Sequence, residues 1–216
     1  EAVLAVSNEE INQAPVIEDQ VFSLEENSPS ATLVGTVLAM DPDAGQSLTY
    51  SIVSGNALGG FEIDAVSGAL SVDNSSAINY EETPSFSLVV KVEDNGIGNL
   101  SDEATVDVNL SDVNEAPVVE SSTFNLEENS ASGMVVGTVE AEDPDNGQSI
   151  SYSIISGNID GAFDINESDG TLVVNNENAV NFEAIPIFYL VVEAEDNGSG
   201  NLTGQGVVTI NLQDIN

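Results

Sequence analysis

Carboxylates and amide oxygens recur in this chain in a fixed order. Leu24-Glu25-Glu26-Asn27 returns as Leu126-Glu127-Glu128-Asn129, and Asp41-Pro42-Asp43 as Asp143-Pro144-Asp145. Asn79-Tyr80-Glu81 returns as Asn181-Phe182-Glu183, and Glu93-Asp94-Asn95-Gly96 as Glu195-Asp196-Asn197-Gly198, every copy 102 positions after the first. A fifth element occurs three times, as Ile11-Asn12-Gln13-Ala14-Pro15, Asp112-Val113-Asn114-Glu115-Ala116-Pro117 and Asp214-Ile215-Asn216. Such oxygens suit a hard cation: calcium takes about 6–8 of them at about 2.3–2.6 Å, from carboxylates, amide side chains, backbone carbonyls and water. Aspartates at i and i+2 can reach one ion, because extended residues two apart point the same way and the intervening proline restricts the backbone. A single Asp-Pro-Asp is only a turn. The ordered set, present twice at one spacing, is what points to metal.

The charge balance supports this reading. Thirty-eight Asp and Glu face one basic residue, Lys91, with no histidine, for a formal charge of −37. Two carboxylates about 4 Å apart repel by about 1 kcal/mol in water and about 4 kcal/mol at an effective dielectric of about 20, so a cluster of them calls for a cation. Nucleic acid is excluded as a partner, since nothing here can replace the counterions around phosphates. Anionic membrane surfaces are disfavoured, and no stretch is long and apolar enough to be inserted in a bilayer. Scattered acids also serve solubility, but solubility does not require a fixed register. Absence of cysteine removes disulfides, zinc–thiolate sites and thiol catalysis. Residues 1–10 lack the basic region of a signal peptide.

The elements that position these acids read as strands. Phe86, Leu88, Val90 and Val92 alternate with Ser85, Ser87, Val89, Lys91 and Glu93, and Ala104, Val106, Val108 and Leu110 alternate with Thr105, Asp107 and Asn109. Helical periodicity is missing. Comparing copies sorts the faces. Val37 and Ala39 match Val139 and Ala141 and face the core, whereas Leu38 and Met40 become Glu140 and Glu142 and face solvent. Phe22, Tyr50, Phe61, Leu70 and Phe86 have apolar counterparts at Phe124, Tyr152, Phe163, Leu172 and Phe188 and are expected in the cores. Turn residues fall at Pro42–Gly45, Ser54–Gly60, Ser67–Gly68, Asp73–Ser76 and Asn95–Asn99. About seven short strands in about 100 residues predict an all-β fold: two tandem seven-stranded Greek-key β-sandwiches, arranged end to end. The expected organisation is a linker remnant over 1–13, a first repeat over 14–113 and a second over 114–216. The second includes part of the linker 112–117 and the start of a further linker at 214–216.

The ordered motifs resemble the extracellular cadherin repeat over essentially the whole chain. They are Glu26-Asn27, Asp41-Pro42-Asp43, Ile78-Asn79-Tyr80-Glu81, Val92-Glu93-Asp94-Asn95-Gly96 and Asp112-Val113-Asn114-Glu115-Ala116-Pro117, with Phe61-Glu62-Ile63-Asp64 to Gly68-Ala69-Leu70 resembling the family's mid-domain signature. The form of the linker is most similar to bacterial cadherin-like repeats. The resemblance implies a joint binding up to three calcium ions with ligands from both neighbours. Repeat one would give Glu26, Glu81 and Asn79, the linker Asp112, Asn114 and Glu115, and repeat two Asp143, Asp145 and Asp196. Asn12, Asp41, Asp43 and Asp94 would await a preceding repeat, and Glu128, Glu183, Asp214 and Asn216 a following one. Asn79 and Asn181 stand where aspartate is usual, Glu115 and Gln13 where aspartate is common, and the linker is one residue short, so two ions at the joint are expected. No tryptophan is present to support strand exchange of the kind some vertebrate members use.

The function expected is therefore non-enzymatic: a calcium-rigidified segment of a secreted or surface protein, extracellular and bacterial, whose partners are calcium and neighbouring repeats. The alternative is calcium-dependent recognition of polysaccharide or of another copy of the chain, with Tyr80 and Tyr189 as candidate sugar platforms. Catalysis is disfavoured because His, Cys and Arg are missing, and with them the usual nucleophile–base pairs. A carboxylate pair could cleave glycosides, but acids gathered at domain ends suit metal better.

Overall fold

A computed structural model describes residues 11–215. Residues 1–10 of the expected linker remnant and the site position Asn216 lie outside it. The chain divides into two compact units between Val113 and Asn114.

In the first unit the strands are β1 (Val16–Ile17), β2 (Gln20–Glu25), β3 (Leu33–Thr36), β4 (Ala39–Met40), β5 (Leu48–Ser54), β6 (Phe61–Ile63), β7 (Ala69–Val72), β8 (Ser85–Asp94) and β9 (Ser101–Ser111). A four-stranded sheet runs β2-β9-β8-β5 and a three-stranded sheet β3-β7-β6, with the two-residue pair β1-β4 beside them. The two main sheets hold seven strands, the number expected, and the two alternating runs become β8 and β9. The β1-β4 pair is too short to leave a period in the sequence. Pairing is antiparallel except between β2 and β9, where Gln20 lies opposite Val106 and Glu25 opposite Ser111 in parallel register.

The second unit repeats this arrangement with β10 (Val118–Val119), β11 (Ser122–Glu127), β12 (Val135–Thr138), β13 (Ala141–Glu142), β14 (Ser151–Ser156), β15 (Phe163–Ile165), β16 (Thr171–Val174), β17 (Ile187–Glu195) and β18 (Thr203–Gln213). Its sheets are β11-β18-β17-β14, β12-β16-β15 and β10-β13. Single 3-10 turns at Ser75–Ala77 and Glu177–Ala179 are capped by Asn74 and Asn176, whose side chains accept from the backbone N–H two residues on.

The alternating residues become the cores. Leu88, Val90, Val92, Val106 and Val108 are fully buried, as are Leu190, Val192, Val208 and Ile210 in the second unit. Each such side chain contributes about 1.5–3 kcal/mol on burial, so each unit has a core of its own. Phe61 meets Phe86 edge-to-face at 5.0 Å, and Phe163 meets Phe188 in the same way. Phe22 and Phe124 lie over Gly35 and Gly137, where a Cβ would collide with the ring; both glycines sit at register shifts in their strand pairs. Val37 and Val139 are fully buried, while Leu38 and Met40 are 69% and 77% exposed, as the comparison of copies predicts.

Each unit presents acids at two opposite ends of its four-stranded sheet. The leading end of the first unit, where β8 finishes and β9 begins, holds Asn12, Asp41, Asp43 and Asp94. The trailing end, where β2 and β9 finish together, holds Glu26, Asn79, Glu81 and Asp112.

Candidate metal centre

At the trailing end Glu26 follows β2, and its side chain turns inward, leaving the residue only 3% exposed. The carboxylate accepts from Tyr80 N–H at 2.8 Å and from Val113 N–H at 2.8 Å, so one side chain ties the loop before β8 to the chain leaving β9. Asn27 holds the turn in the left-handed region at φ 55°, where asparagine is tolerated, and its N–H donates to Ile78 O. Glu128 is 4% exposed and does the same in the second unit, accepting from Phe182 N–H at 3.1 Å and Ile215 N–H at 3.2 Å. Around these fixed carboxylates lie the others. Glu26 and Glu81 offer oxygens within 4.8 Å of each other, as do Glu81 and Asp112. In the second unit Glu128, Glu183 and Asp214 all offer oxygens within that distance of one another.

Asn79 also works within its own loop. Its Oδ1 accepts from Glu82 N–H at 2.7 Å, and Asn181 Oδ1 accepts from Ala184 N–H at 2.8 Å. Both asparagines cap turns, which holds the following Glu81 and Glu183 in position.

At the leading end of the second unit Asp143 Oδ1 accepts from Asp145 N–H at 2.9 Å, the Asx turn that Asp-Pro-Asp favours. Asp145 is 6% exposed and accepts from Glu115 N–H at 2.8 Å through Oδ2. Asp143 Oδ2 and Asp145 Oδ1 are buried and accept no hydrogen bond. Burial pushes the Asp143 carboxyl above its ordinary value, opposed by the Asp145 N–H and reinforced by the charges of Asp145 and Asp196. Asp196 is 2% exposed and its acceptors are well used, by Gly198 N–H at 2.9 Å, Leu202 N–H at 3.1 Å and Asn114 Nδ2 at 3.0 Å. Its geometry anchors Asn114 and the β17–β18 loop.

The first unit's leading end uses the same framework. Asp43 N–H donates to Asp41 Oδ1 at 2.7 Å, Asp41 Oδ2 is buried without a hydrogen bond, and Asp94 accepts from Asn12 Nδ2, Gly96 N–H and Leu100 N–H.

One residue at each leading end escaped the motifs. Gln148 Nε2 donates to Asn114 Oδ1 at 2.5 Å and Gln46 Nε2 to Asn12 Oδ1 at 2.6 Å. Gly198 and Gly96 leave room for this pair, since a Cβ there would collide with the asparagine and glutamine oxygens. The only sequence signal was the recurrence of Gly45-Gln46 as Gly147-Gln148.

The donor set fits calcium: carboxylate and amide oxygens without thiol or imidazole, several of them buried with no hydrogen bond to satisfy them. Tyr80, one of the two candidate sugar platforms, packs against the first core and is no free platform, whereas Tyr189 is exposed.

The family profile described as Cadherin domain matches residues 20–111 and 122–213. The chain is 35% identical to human Protocadherin Fat 1 over 195 residues, covering 85% of this chain and 4% of that protein. It is 37% identical to mouse Protocadherin Fat 4 over 201 residues, covering 89% of this chain and 4% of that protein. In three dimensions it is similar to the crystal structure of mouse cadherin-23 EC22-24, with a TM-score of 0.64, 24% identity, and coverage of 94% of this chain and 65% of that one. That likeness concerns the fold. The relatives it matches include human, mouse, rat and fruit-fly proteins, and the bacterial origin expected from the linker has no support among them.

Proposed function

The chain belongs to the cadherin family, and from that premise we propose that it is a non-enzymatic, calcium-binding tandem module of an extracellular adhesion or recognition protein. The observation that carries this reading is the Asp143–Asp145 pair. A folded protein ordinarily satisfies buried polar atoms, and each left bare costs about 1–3 kcal/mol. Two bare carboxylate oxygens on residues two apart, Asp143 Oδ2 and Asp145 Oδ1, with the Asp143 carboxyl pushed above its ordinary value by burial, mark a place prepared for positive charge.

Asp143 and Asp145, with Glu115 held to them through its N–H on Asp145, would hold calcium at the leading end of the second unit. Glu26, Glu81 and Asp112 would hold it at the trailing end of the first, and Glu128, Glu183 and Asp214 at the trailing end of the second. Asp196 and Asn114 would set the position of the linker. Only Val113 separates Asp112 from Asn114, so the two ends that meet in sequence are proposed to share their ions and fix the angle between the units. Calcium supplies charge neutralisation there, and the remaining work of orientation belongs to the hydrogen bonds of Glu26, Asp145 and Asp196. At calcium a hundredfold above the dissociation constant each site would add about 2.7 kcal/mol.

The test is paired calorimetry and solution scattering on the chain stripped with EDTA and then titrated with calcium. Heat of binding with a maximum dimension that becomes longer and better defined supports the proposal. No heat at millimolar calcium would sink it.

A further inference from the structure

The two leading ends differ at one position that decides how much positive charge they need. Gln13 stands where the second unit has Glu115, and each donates its backbone N–H to the second aspartate of the turn, at 2.7 Å to Asp43 and 2.8 Å to Asp145. The side chains diverge. Gln13 Nε2 reaches Asp43 Oδ1 at 3.4 Å, and Gln46 Nε2 adds a contact to Asp43 Oδ2 at 3.2 Å. Asp43 therefore has amide donors on both oxygens. Asp145, nine-tenths buried, has one donor on Oδ2 and a bare Oδ1. Among the described residues the carboxylates also differ in number: Asp41, Asp43 and Asp94 at the first unit, against Glu115, Asp143, Asp145 and Asp196 at the second.

We propose that Gln13 makes the leading end of the first unit calcium-poor, its carboxamide occupying, at Asp43, the place that a cation takes at Asp145. This rests on the reading that the second unit's acids bind calcium. Amide N–H groups and a divalent ion compete for the same lone pairs, and an amide brings no carboxylate of its own to hold the ion. Asp41 Oδ2 is still bare, so the first end keeps part of the framework and lacks the charge. The joint in front of the first unit would accordingly be stiffened less by calcium than the one behind it.

Calcium titration of the chain by calorimetry separates the possibilities, with Asp43→Asn, Asp145→Asn and Gln13→Glu compared with the parent and folding checked for each by thermal unfolding. Asp145→Asn should weaken the tightest binding by about tenfold or more, because one ligand charge is lost. Asp43→Asn should change it less than about twofold. Gln13→Glu should add a binding event that disappears again in the Gln13→Glu, Asp43→Asn double variant. The side-chain amide resonances of Gln13 should hold their positions through the parent titration while the Glu115 N–H resonance moves. Equal losses in Asp43→Asn and Asp145→Asn, an unchanged isotherm in Gln13→Glu, or a calcium-dependent shift at Gln13 would each overturn the inference. A parent chain that takes up no calcium would overturn the function reading itself, and this inference with it.

Discussion

The trailing ends of the two units are nearly the same object, and the leading ends are not. At the trailing ends one buried glutamate receives two backbone N–H groups from the same two directions in either copy, and an asparagine caps the same turn. Only Tyr80 and Phe182 differ within the Asn-x-Glu motif. At the leading ends an exchange of charge, Gln13 for Glu115, is accompanied by a different allocation of donors around the second aspartate. A residue that supports backbone geometry is held by several partners at once and has no substitute of equal reach. A residue that only tunes charge can change while the frame around it stays.

The largest break in this comparison should come from the trailing ends. Glu26→Ala removes the buried acceptor of two part-buried backbone N–H groups, at up to about 1–3 kcal/mol for each one left unserved. Denaturant unfolding in EDTA should show the loss, and Glu128→Ala should match it. Unequal losses would mean that the two ends are not equivalent supports.

The next effect concerns the leading ends without metal. Asp143→Asn removes a charge that its own surroundings oppose, and should raise the stability of metal-free protein at neutral pH by about 1 kcal/mol, the size of carboxylate repulsion across about 4 Å of water. The sign follows from linkage. A carboxyl raised in the folded state contributes stability below its unfolded pKa and loses it as pH rises through the folded value. In EDTA the parent should therefore gain from acidification in that window relative to Asp143→Asn. Identical pH profiles would remove the charge argument at this end.

A smaller effect lies on a turn where the copies differ. Asp64 is held below the usual carboxylate range by Ser67 N–H, then the Ser67 hydroxyl and Val66 N–H, whereas the second unit has Asn166 there, accepting from Ser168. The Asp64 contribution is present above its unfolded pKa and fades as pH falls through the folded value, so Asp64→Asn should flatten the acid limb of first-unit unfolding and leave the second unit alone. Smallest of all, Leu38→Glu with Met40→Glu, which copies the second unit, should keep stability within about 0.5 kcal/mol, since both side chains face solvent. A larger loss would show that this face is buried by something.

Much of the fold was legible because both of its signals are local or repeated. The alternation of Phe86 to Val92 marks a buried face directly, and exchange of Leu38 and Met40 for glutamates marks a wet one. Parallel pairing of β2 with β9 was not legible: Gln20 and Val106 lie far apart in sequence, and no turn joins them. The acids of the candidate centre were visible as recurring carboxylates, but their division of labour was not. Asn79 caps a turn besides offering an oxygen, Asp196 accepts from the loop and from Asn114, and Gln46 and Gln148 carry no charge to draw notice. Such roles depend on which donors arrive from elsewhere in the fold, and that is a property of three dimensions.

The most direct measurement is a crystal structure of the chain grown in calcium, with anomalous scattering used to locate the ions. The account predicts calcium bound by Asp143 Oδ2 and Asp145 Oδ1 at about 2.3–2.6 Å. Ordered water alone on those two oxygens, in crystals saturated with calcium, would contradict it.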